Sequence, residues 1–100
     1  MTKDLLFDDY ELNLLSQKFK ILSEPSRLKI IRALFNRELC VKEIIKETGL
    51  LQANVSKQLQ ILANNKIVQC RPKGLQRFYR VIDHTIIDIC KSICKSNNTN

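Results

Sequence analysis

The sequence is poor in the residues that build irregular or membrane-spanning chains. Its 100 residues include two glycines, two prolines and one histidine, and tryptophan is absent. So little glycine and proline excludes a collagen-like or low-complexity chain, and no apolar run approaches the roughly 18 residues of a transmembrane helix. The length predicts one folded domain over residues 1–96, followed by a polar tail of 97–100 that frays.

Basic residues are scarce at the N-terminus, where acidic residues collect. One lysine stands there against four acidic residues, which are Asp4, Asp8, Asp9 and Glu11. This is the wrong sign of charge for a secretory signal or a transit peptide. We therefore expect a cytoplasmic protein that has no membrane partner.

Acidic residues are absent from one long stretch of the chain. The whole sequence carries 17 Lys and Arg against 10 Asp and Glu, a net charge of +7. Between Gly49 and Ile82 six basic residues and no acidic one contribute +6, and the remaining eleven basic and ten acidic residues contribute +1. A solvated surface normally mixes the two signs, as Lys42 and Glu43 do, so this segregation favours a binding surface for a polyanion.

Two helices are predicted in the first third of the chain. The first begins after the acidic pair Asp8 and Asp9. Its apolar residues have helical spacing and are Leu12, Leu15, Phe19 and Leu22. The second can be capped by Ser23, tolerates Pro25 in its first turn and ends near Asn36. Its expected buried residues are Leu28, Ile31, Leu34 and Phe35.

Two shorter helices follow, joined by a tight turn. The first spans about Val41 to Thr48, and Gly49 fits a left-handed position just past its end. The second has an inner apolar face formed by Val55, Leu59 and Leu62. The residues assigned to its polar outer side are Gln52, Ala53, Asn54, Ser56, Lys57 and Gln58.

The last third of the chain predicts a β-hairpin and a final helix. Apolar residues flank the turn-forming residues Pro72, Lys73 and Gly74, which predicts a hairpin with a basic tip. Asp83 can cap the last helix, whose apolar residues are Ile86, Ile87, Ile89, Cys90, Ile93 and Cys94. The predicted fold is mainly α with a small β-hairpin, a winged helix-turn-helix of about five helices and a two-stranded wing.

The acid-free stretch coincides with the second short helix and the hairpin. In a helix-turn-helix protein the second helix enters the major groove and reads base edges, whereas a cationic hairpin lies along the phosphates. Two helices with a glycine between them would be a weak signal without this coincidence. The arrangement favours double-stranded DNA as the polyanion.

Four motifs of the sequence also occur in the order found in a known family. They are Leu22–Ile30, Glu38–Val41, Gly49–Leu50 with Val55–Leu59, and Arg77–Val81. Over about residues 15–95 the sequence resembles the ArsR/SmtB family of small winged-helix repressors. The resemblance implies a homodimer, formed by the first and last helices, that binds an imperfect palindrome. It also implies that the repressor leaves its operator when it senses an inducer, usually a metal ion, a metalloid or an oxidant.

The resemblance also implies individual DNA contacts. The family's groove-facing positions correspond to Gln52, Ala53, Asn54, Ser56, Lys57 and Gln58, and its phosphate contacts in the wing to Arg71, Lys73, Gln76 and Arg77. Leu51 departs from the pattern, because relatives commonly have a capping serine at this position. The loss of that cap costs about 1 kcal/mol and one phosphate contact, and binding should survive it.

The four cysteines raise the question of a sensor site. Many metalloid-sensing relatives carry a Cys-Val-Cys pair, but here Cys40 is followed by Val41 and Lys42. Cys40 is therefore expected to be a half-buried residue at a helix start, with a role as a sensor thiol as the alternative. Cys90 and Cys94 share one face of the last helix, where they can either pack in a dimer interface or together bind a thiophilic metal or metalloid. Cys70 is expected to pack beneath the wing, and no structural disulfide is expected in a reducing compartment.

A zinc site on the last helix is not favoured. Of the positions that zinc-sensing relatives use there, only Asp83 is a good ligand, since the others fall on Thr85, Ser96 and Thr99. His84 is expected to be an exposed residue at the helix start. The sequence therefore predicts no resident cofactor, and the metal, if one is sensed, stays unknown.

Alternatives to an inducible repressor remain open. An enzyme is disfavoured, because the sequence has one histidine, no glycine-rich phosphate loop and no set of residues for nucleophilic catalysis. A winged-helix DNA-binding regulator without a ligand site is one alternative, and a module that binds protein or RNA is another. The outer side of the fourth helix favours duplex DNA over RNA, because it carries amides, a hydroxyl and a lysine in place of aromatic residues.

Overall fold

The structure is a computed structural model that describes the backbone of residues 7–98 and the side chains of residues 7–94. Its elements, in chain order, are α1 (Asp9–Leu22), α2 (Pro25–Leu34), β1 (Leu39–Cys40), α3 (Val41–Thr48), α4 (Gln52–Asn64), β2 (Val68–Lys73), β3 (Gln76–Val81) and α5 (His84–Asn98). The winged helix-turn-helix of five helices is confirmed. Helix α5 reaches Asn98, and residues 99–100 of the expected tail lie outside the described part. None of the helices described is long and apolar enough to cross a membrane.

The wing is part of a three-stranded antiparallel sheet in the order β1-β3-β2. Strands β2 and β3 form the predicted hairpin, with Cys70 opposite Tyr79 and Gly74 at φ 64° in the turn. The two residues of β1 pair with β3, so that Leu39 lies opposite Tyr79. A strand this short shows no alternation in the sequence, and the third strand was therefore not predicted.

The core lies where α2, α3 and α4 meet the base of the sheet. Its fully buried side chains are Ile30, Ile31, Leu34, Ile44, Leu59, Leu62, Ile67, Ile86 and Val55. The prediction for α2 was partly wrong, because Leu28 is 46% exposed and Ile30 and Ala33 are buried instead. Phe35 follows the helix and is half-buried.

The residues at the helix ends determine how α4 is presented. Gly49 adopts φ 73° after α3, which confirms the predicted left-handed turn. Leu51 is the residue before α4 and makes no capping hydrogen bond through its side chain, as its chemistry predicts. The assignment of Ser23 as a cap of α2 was wrong by one residue, because Glu24 accepts from the backbone N–H of Arg27 and Ser23 ends α1. The carboxylate of Glu24 accepts this hydrogen bond in the place of the expected serine hydroxyl.

Helices α1 and α5 are joined by an ion pair and keep much of their apolar surface in solvent. In α1, Leu12 is 51% exposed and Phe19 is 57% exposed, whereas Ile21 is buried. Among the side chains of α5 that the structure describes, those of residues 84–94, only Ile86 is fully buried, and Ile93 is 59% exposed. Lys18 of α1 pairs with Asp83, the residue that caps α5 by accepting from Ile86 N at 3.1 Å.

Candidate nucleic-acid interface

Helix α4 presents a polar surface that faces away from the core. Gln52, Ala53, Ser56 and Lys57 are exposed, as the sequence predicts for groove-facing residues. Asn54 is half-buried. The opposite side of the helix is held by Val55, Leu59 and Leu62, each at most 2% exposed. Because α4 is anchored on this side, its first two turns are free to enter a groove about as wide as the major groove of B-DNA.

Gln58 does not lie on that surface, and its placement on the outer side was wrong. Its side chain is 5% exposed and its amide is used inside the protein, where it bonds to Arg27 and Asn54. The apolar periodicity of α4 did not reveal this, because a glutamine at the edge of the inner face is buried only when a partner from another helix satisfies it. Arg27 of α2 is that partner, and no local pattern in the sequence connects the two residues.

The wing carries cations on an exposed hairpin. Lys73, Gln76 and Arg77 are all exposed, as expected for phosphate contacts. Lys73 Nζ lies 5.9 Å from the centre of the Phe78 ring, a distance at which the ring attracts the ammonium. This contact leaves the ammonium in solvent at the edge of the wing, where it can meet a phosphate.

Arg71 is less free than the other wing cations. Its guanidinium donates two hydrogen bonds to Glu38, from Nε to Oε2 at 3.0 Å and from Nη2 to Oε1 at 2.6 Å. The hydrogen bond from Arg71 lowers the pKa of the Glu38 carboxyl, and the same bond raises the pKa of Arg71. In the folded chain the acid-free stretch 49–82 is therefore in contact with one carboxylate, that of Glu38, which lies just before β1.

A groove of about 430 Å³ joins the start of α4 to the wing. Its walls include Gln52 and Ser56 from α4, Gln76 and Arg77 from β3, and Lys42 from α3. The predicted reading helix and the predicted wing contacts thus form one continuous surface. Its hydrogen-bonding groups and positive charge suit the edges of bases and the phosphates beside them.

The thiols lie away from this surface or beneath it. Cys40 is 5% exposed and precedes α3 directly, so it is a residue at a helix start as expected, but it is more deeply buried than predicted. Cys70 is half-buried and lies opposite Tyr79 in the hairpin, and burial, and then the neighbouring Cys70 thiol, raise the pKa of the Tyr79 hydroxyl. Cys90 is half-buried against the core, whereas Cys94 is exposed.

Within one chain Cys90 has the environment of a packing residue, whereas Cys94 lies in solvent. Burial, and then the neighbouring Cys94, raise the pKa of the Cys90 thiol, so that less thiolate is present near neutral pH. Within residues 7–98 no group of three or more His, Cys, Asp and Glu residues is arranged to hold a metal ion. His84 is exposed, as expected. The Asp83 carboxylate pairs with Lys18 and caps the start of α5.

The chain is similar to known transcriptional regulators. Residues 24–69 match the family described as bacterial regulatory protein, arsR family. The arsenical resistance operon repressor of Staphylococcus xylosus is 32% identical over 74 residues, which are 74% of this chain and 70% of that protein. The transcriptional repressor SmtB homolog of Synechocystis is 29% identical over 79 residues, and the match spans 79% of this chain and 60% of that relative's length.

Solved structures of other proteins have the same fold as this chain. The crystal structure of the transcriptional repressor BigR from Xylella fastidiosa superposes with a TM-score of 0.81 at 27% identity, over 93% of this chain and 92% of that one. The homodimeric winged helix-turn-helix DNA-binding domain of Mb0332 from Mycobacterium bovis has a TM-score of 0.76 at 23% identity, over 92% of this chain and 88% of that one. The chain belongs to the ArsR family, a family of transcriptional regulators and not of enzymes.

Proposed function

We propose that this chain is a homodimeric, sequence-specific DNA-binding transcriptional repressor that acts in the cytoplasm on an imperfect palindrome. One observation carries the proposal: the exposed side of α4 and the basic wing form a single surface along one groove. Membership of the ArsR family supports it, as do the relatives that are named repressors. A protein that reads RNA would need stacking aromatic residues here, and among the exposed residues of α4 there are none.

In this proposal α4 reads the major groove. Gln52, Ser56 and Lys57 supply donors and acceptors for base edges, and Ala53 is small enough to let the helix approach the bases. Lys73, Gln76 and Arg77 contact the phosphates, which fixes the register of α4. Arg71 can contribute a phosphate contact to the extent that DNA displaces Glu38 from it.

The apolar surfaces of α1 and α5 supply the dimer interface. Large apolar side chains are exposed on these helices and just before α1, and they are Phe7, Tyr10, Leu12, Leu14, Phe19 and Ile93. Exposure of this kind marks an interaction surface. A symmetric dimer would carry two copies of α4, which matches the two half-sites of a palindrome. The homodimeric relative from Mycobacterium bovis has the same fold.

The test is a comparison of two duplexes. The protein is titrated onto a fragment of the DNA upstream of its own gene that it protects, and separately onto a scrambled duplex of equal length, both at physiological salt. A sequence-specific repressor should prefer the protected site at least about a thousandfold. Equal affinity for the two duplexes would overturn the proposal, and tighter binding to single-stranded RNA would favour the alternative module.

For release, we propose a thiol-reactive metal, metalloid or oxidant that acts at Cys90 and Cys94. The two thiols are one helical turn apart on α5, and a dimer can bring four such thiols together. Cys40 is too deeply buried to react first. The test compares wild type with the double variant Cys90→Ser, Cys94→Ser for release from DNA by arsenite, Zn²⁺ and peroxide. Equal release in both proteins would remove these thiols from the mechanism and favour a regulator without this site.

A further inference from the structure

A chain of hydrogen bonds, which we call the Arg27 relay, crosses the contact between α2 and α4. Arg27 Nη1 donates to Gln58 Oε1 at 2.8 Å, and Gln58 Nε2 donates to Asn54 Oδ1 at 3.0 Å. Asn54 Nδ2 then donates to Ser26 Oγ at 3.2 Å. Arg27 Nε also donates to the carbonyl oxygen of Ile21 at 2.8 Å, so the relay begins at the last turn of α1.

The relay has a fixed direction because a guanidinium can only donate. Facing Arg27, Gln58 must present its oxygen, and its Nε2 is then the group that points along α4. Asn54 consequently presents Oδ1 to Gln58 and Nδ2 to Ser26. One half-buried cation thus decides the orientation of two amides that could otherwise rotate by half a turn at little cost.

The relay leaves part of the Asn54 amide unused. Oδ1 has a second lone pair, and Nδ2 has a second hydrogen. An asparagine with these two groups free can bond to adenine in the major groove, by accepting from N6 and donating to N7. Asn54 lies in the first turn of α4, and the N-terminal residues of a recognition helix are those that reach base edges.

We propose that Asn54 reads an adenine in each half-site and that Arg27 and Gln58 are positioning residues that hold its amide in the orientation this requires. The inference rests on the proposed function and adds to it the base that one residue reads. A reversed amide would bring the Asn54 nitrogen to the adenine N6 donor and its oxygen to the N7 acceptor. Both contacts would then be repulsive.

The test uses Gln58→Glu, which keeps the size of the side chain and its contact with Arg27. A carboxylate cannot donate, so Asn54 must turn its nitrogen toward position 58. Each adenine of the protected site is replaced in turn by 7-deazaadenine, which lacks the N7 acceptor, and the affinity ratio of normal to modified DNA is measured. The ratio cancels the uniform repulsion between the added charge and the phosphates. Thermal melting of each variant checks that it is folded.

In wild type, one adenine of each half-site should show a ratio of about ten. That ratio should fall below about two in Gln58→Glu and in Asn54→Ala, whereas Gln60→Ala, a change at an exposed residue of the same helix outside the relay and outside the proposed DNA contacts, should retain it. If Gln58→Glu does not fold, Gln58→Met, which keeps the length of the side chain but cannot donate to Asn54 Oδ1, should lower the ratio in its place.

Two outcomes separate this inference from the proposed function. Specific binding with no sensitive adenine, or with a ratio that all the variants share, overturns the inference and leaves the repressor intact. Equal affinity of wild type for the protected and scrambled duplexes overturns both.

Discussion

The surface of α4 and the wing differs from the surface of α1 and α5 in what each leaves in solvent. The first exposes amides, hydroxyls and cations around one groove, and its large exposed apolar residues are Leu51 and Leu75. The second exposes Phe19, Tyr10 and Ile93 among other large apolar residues. A polar, positively charged surface suits a hydrated polyanion. An apolar surface, in contrast, is unfavourable in water until another apolar surface covers it. In the proposed function these two surfaces serve two partners, DNA on one side and a second copy of the chain on the other.

The two surfaces are joined by polar contacts and not by apolar packing alone. Lys18 and Asp83 tie α1 to α5, and the Arg27 relay runs from the end of α1 to α4. A change at the apolar surface therefore has a physical route to α4.

The largest effect is expected from Phe19→Asp on α1. A carboxylate in the apolar surface should prevent dimer formation, and operator affinity should fall by about 3 kcal/mol, more than a hundredfold, because one α4 must then bind alone. Sedimentation measures the dimer and a titration measures the DNA affinity. Asn13→Asp adds the same charge on the polar side of α1 and should leave both unchanged. A dimeric Phe19→Asp protein would show that the interface lies elsewhere.

Lys57→Ala on α4 should cost about 2 kcal/mol on the operator. The loss should be much smaller on a scrambled duplex, because a base contact carries specificity and a phosphate contact does not. The matched change in the wing is Arg77→Ala, which should weaken binding to both duplexes and reduce the salt slope by about one unit. If Lys57→Ala and Arg77→Ala lowered both affinities alike, α4 would not be the reading helix.

Asp83 should make the stability of the fold depend on pH. Burial would raise the pKa of Asp83, but the hydrogen bonds from Lys18 and from the backbone of α5, with the charge of Lys18, hold it below its usual value. A lowered pKa means that the stabilisation is present above the unfolded-state value near 3.9 and is lost as pH falls through the folded-state value.

Removal of this carboxylate should cost about 1 kcal/mol at pH 7, mainly through the cap and the pair with Lys18. The measurement is the free energy of unfolding of wild type and Asp83→Ala as a function of pH. The difference between the two proteins should shrink as pH falls below about 4. A constant difference down to pH 2 would show that the ion pair contributes nothing.

The smallest effect is expected from Glu38→Gln, and its direction is opposite to the others. Loss of the carboxylate frees Arg71 for a phosphate, so affinity for every duplex should rise severalfold and the salt slope should steepen by up to about one unit. The same change made together with Arg71→Ala should have little further effect. A loss of affinity in Glu38→Gln would mean that the pair orients Arg71 for DNA and does not withhold it.

The sequence was informative wherever one residue controls local geometry. Gly49 at a left-handed turn, Asp83 at the start of α5 and Gly74 in the hairpin turn are each found as expected. It was wrong or silent wherever burial depends on a distant partner. Leu28 has the spacing of a core residue and is exposed, and Gln58 has the character of a surface residue and is buried. Neither the exposure of Leu28 nor the burial of Gln58 can be predicted from the sequence of its own helix, because each depends on which other element packs against the residue.

The order of the elements and the stretch that carries the positive charge follow from residue type and spacing along the chain. Which of those charges are free depends on contacts between distant segments. The tertiary structure placed Glu38 on Arg71 and left Lys57, Lys73 and Arg77 exposed, because the pairing of β1 with β3 brings distant segments side by side. It also buried Gln58 against Arg27, since a buried amide is stable only where a second helix supplies its partner.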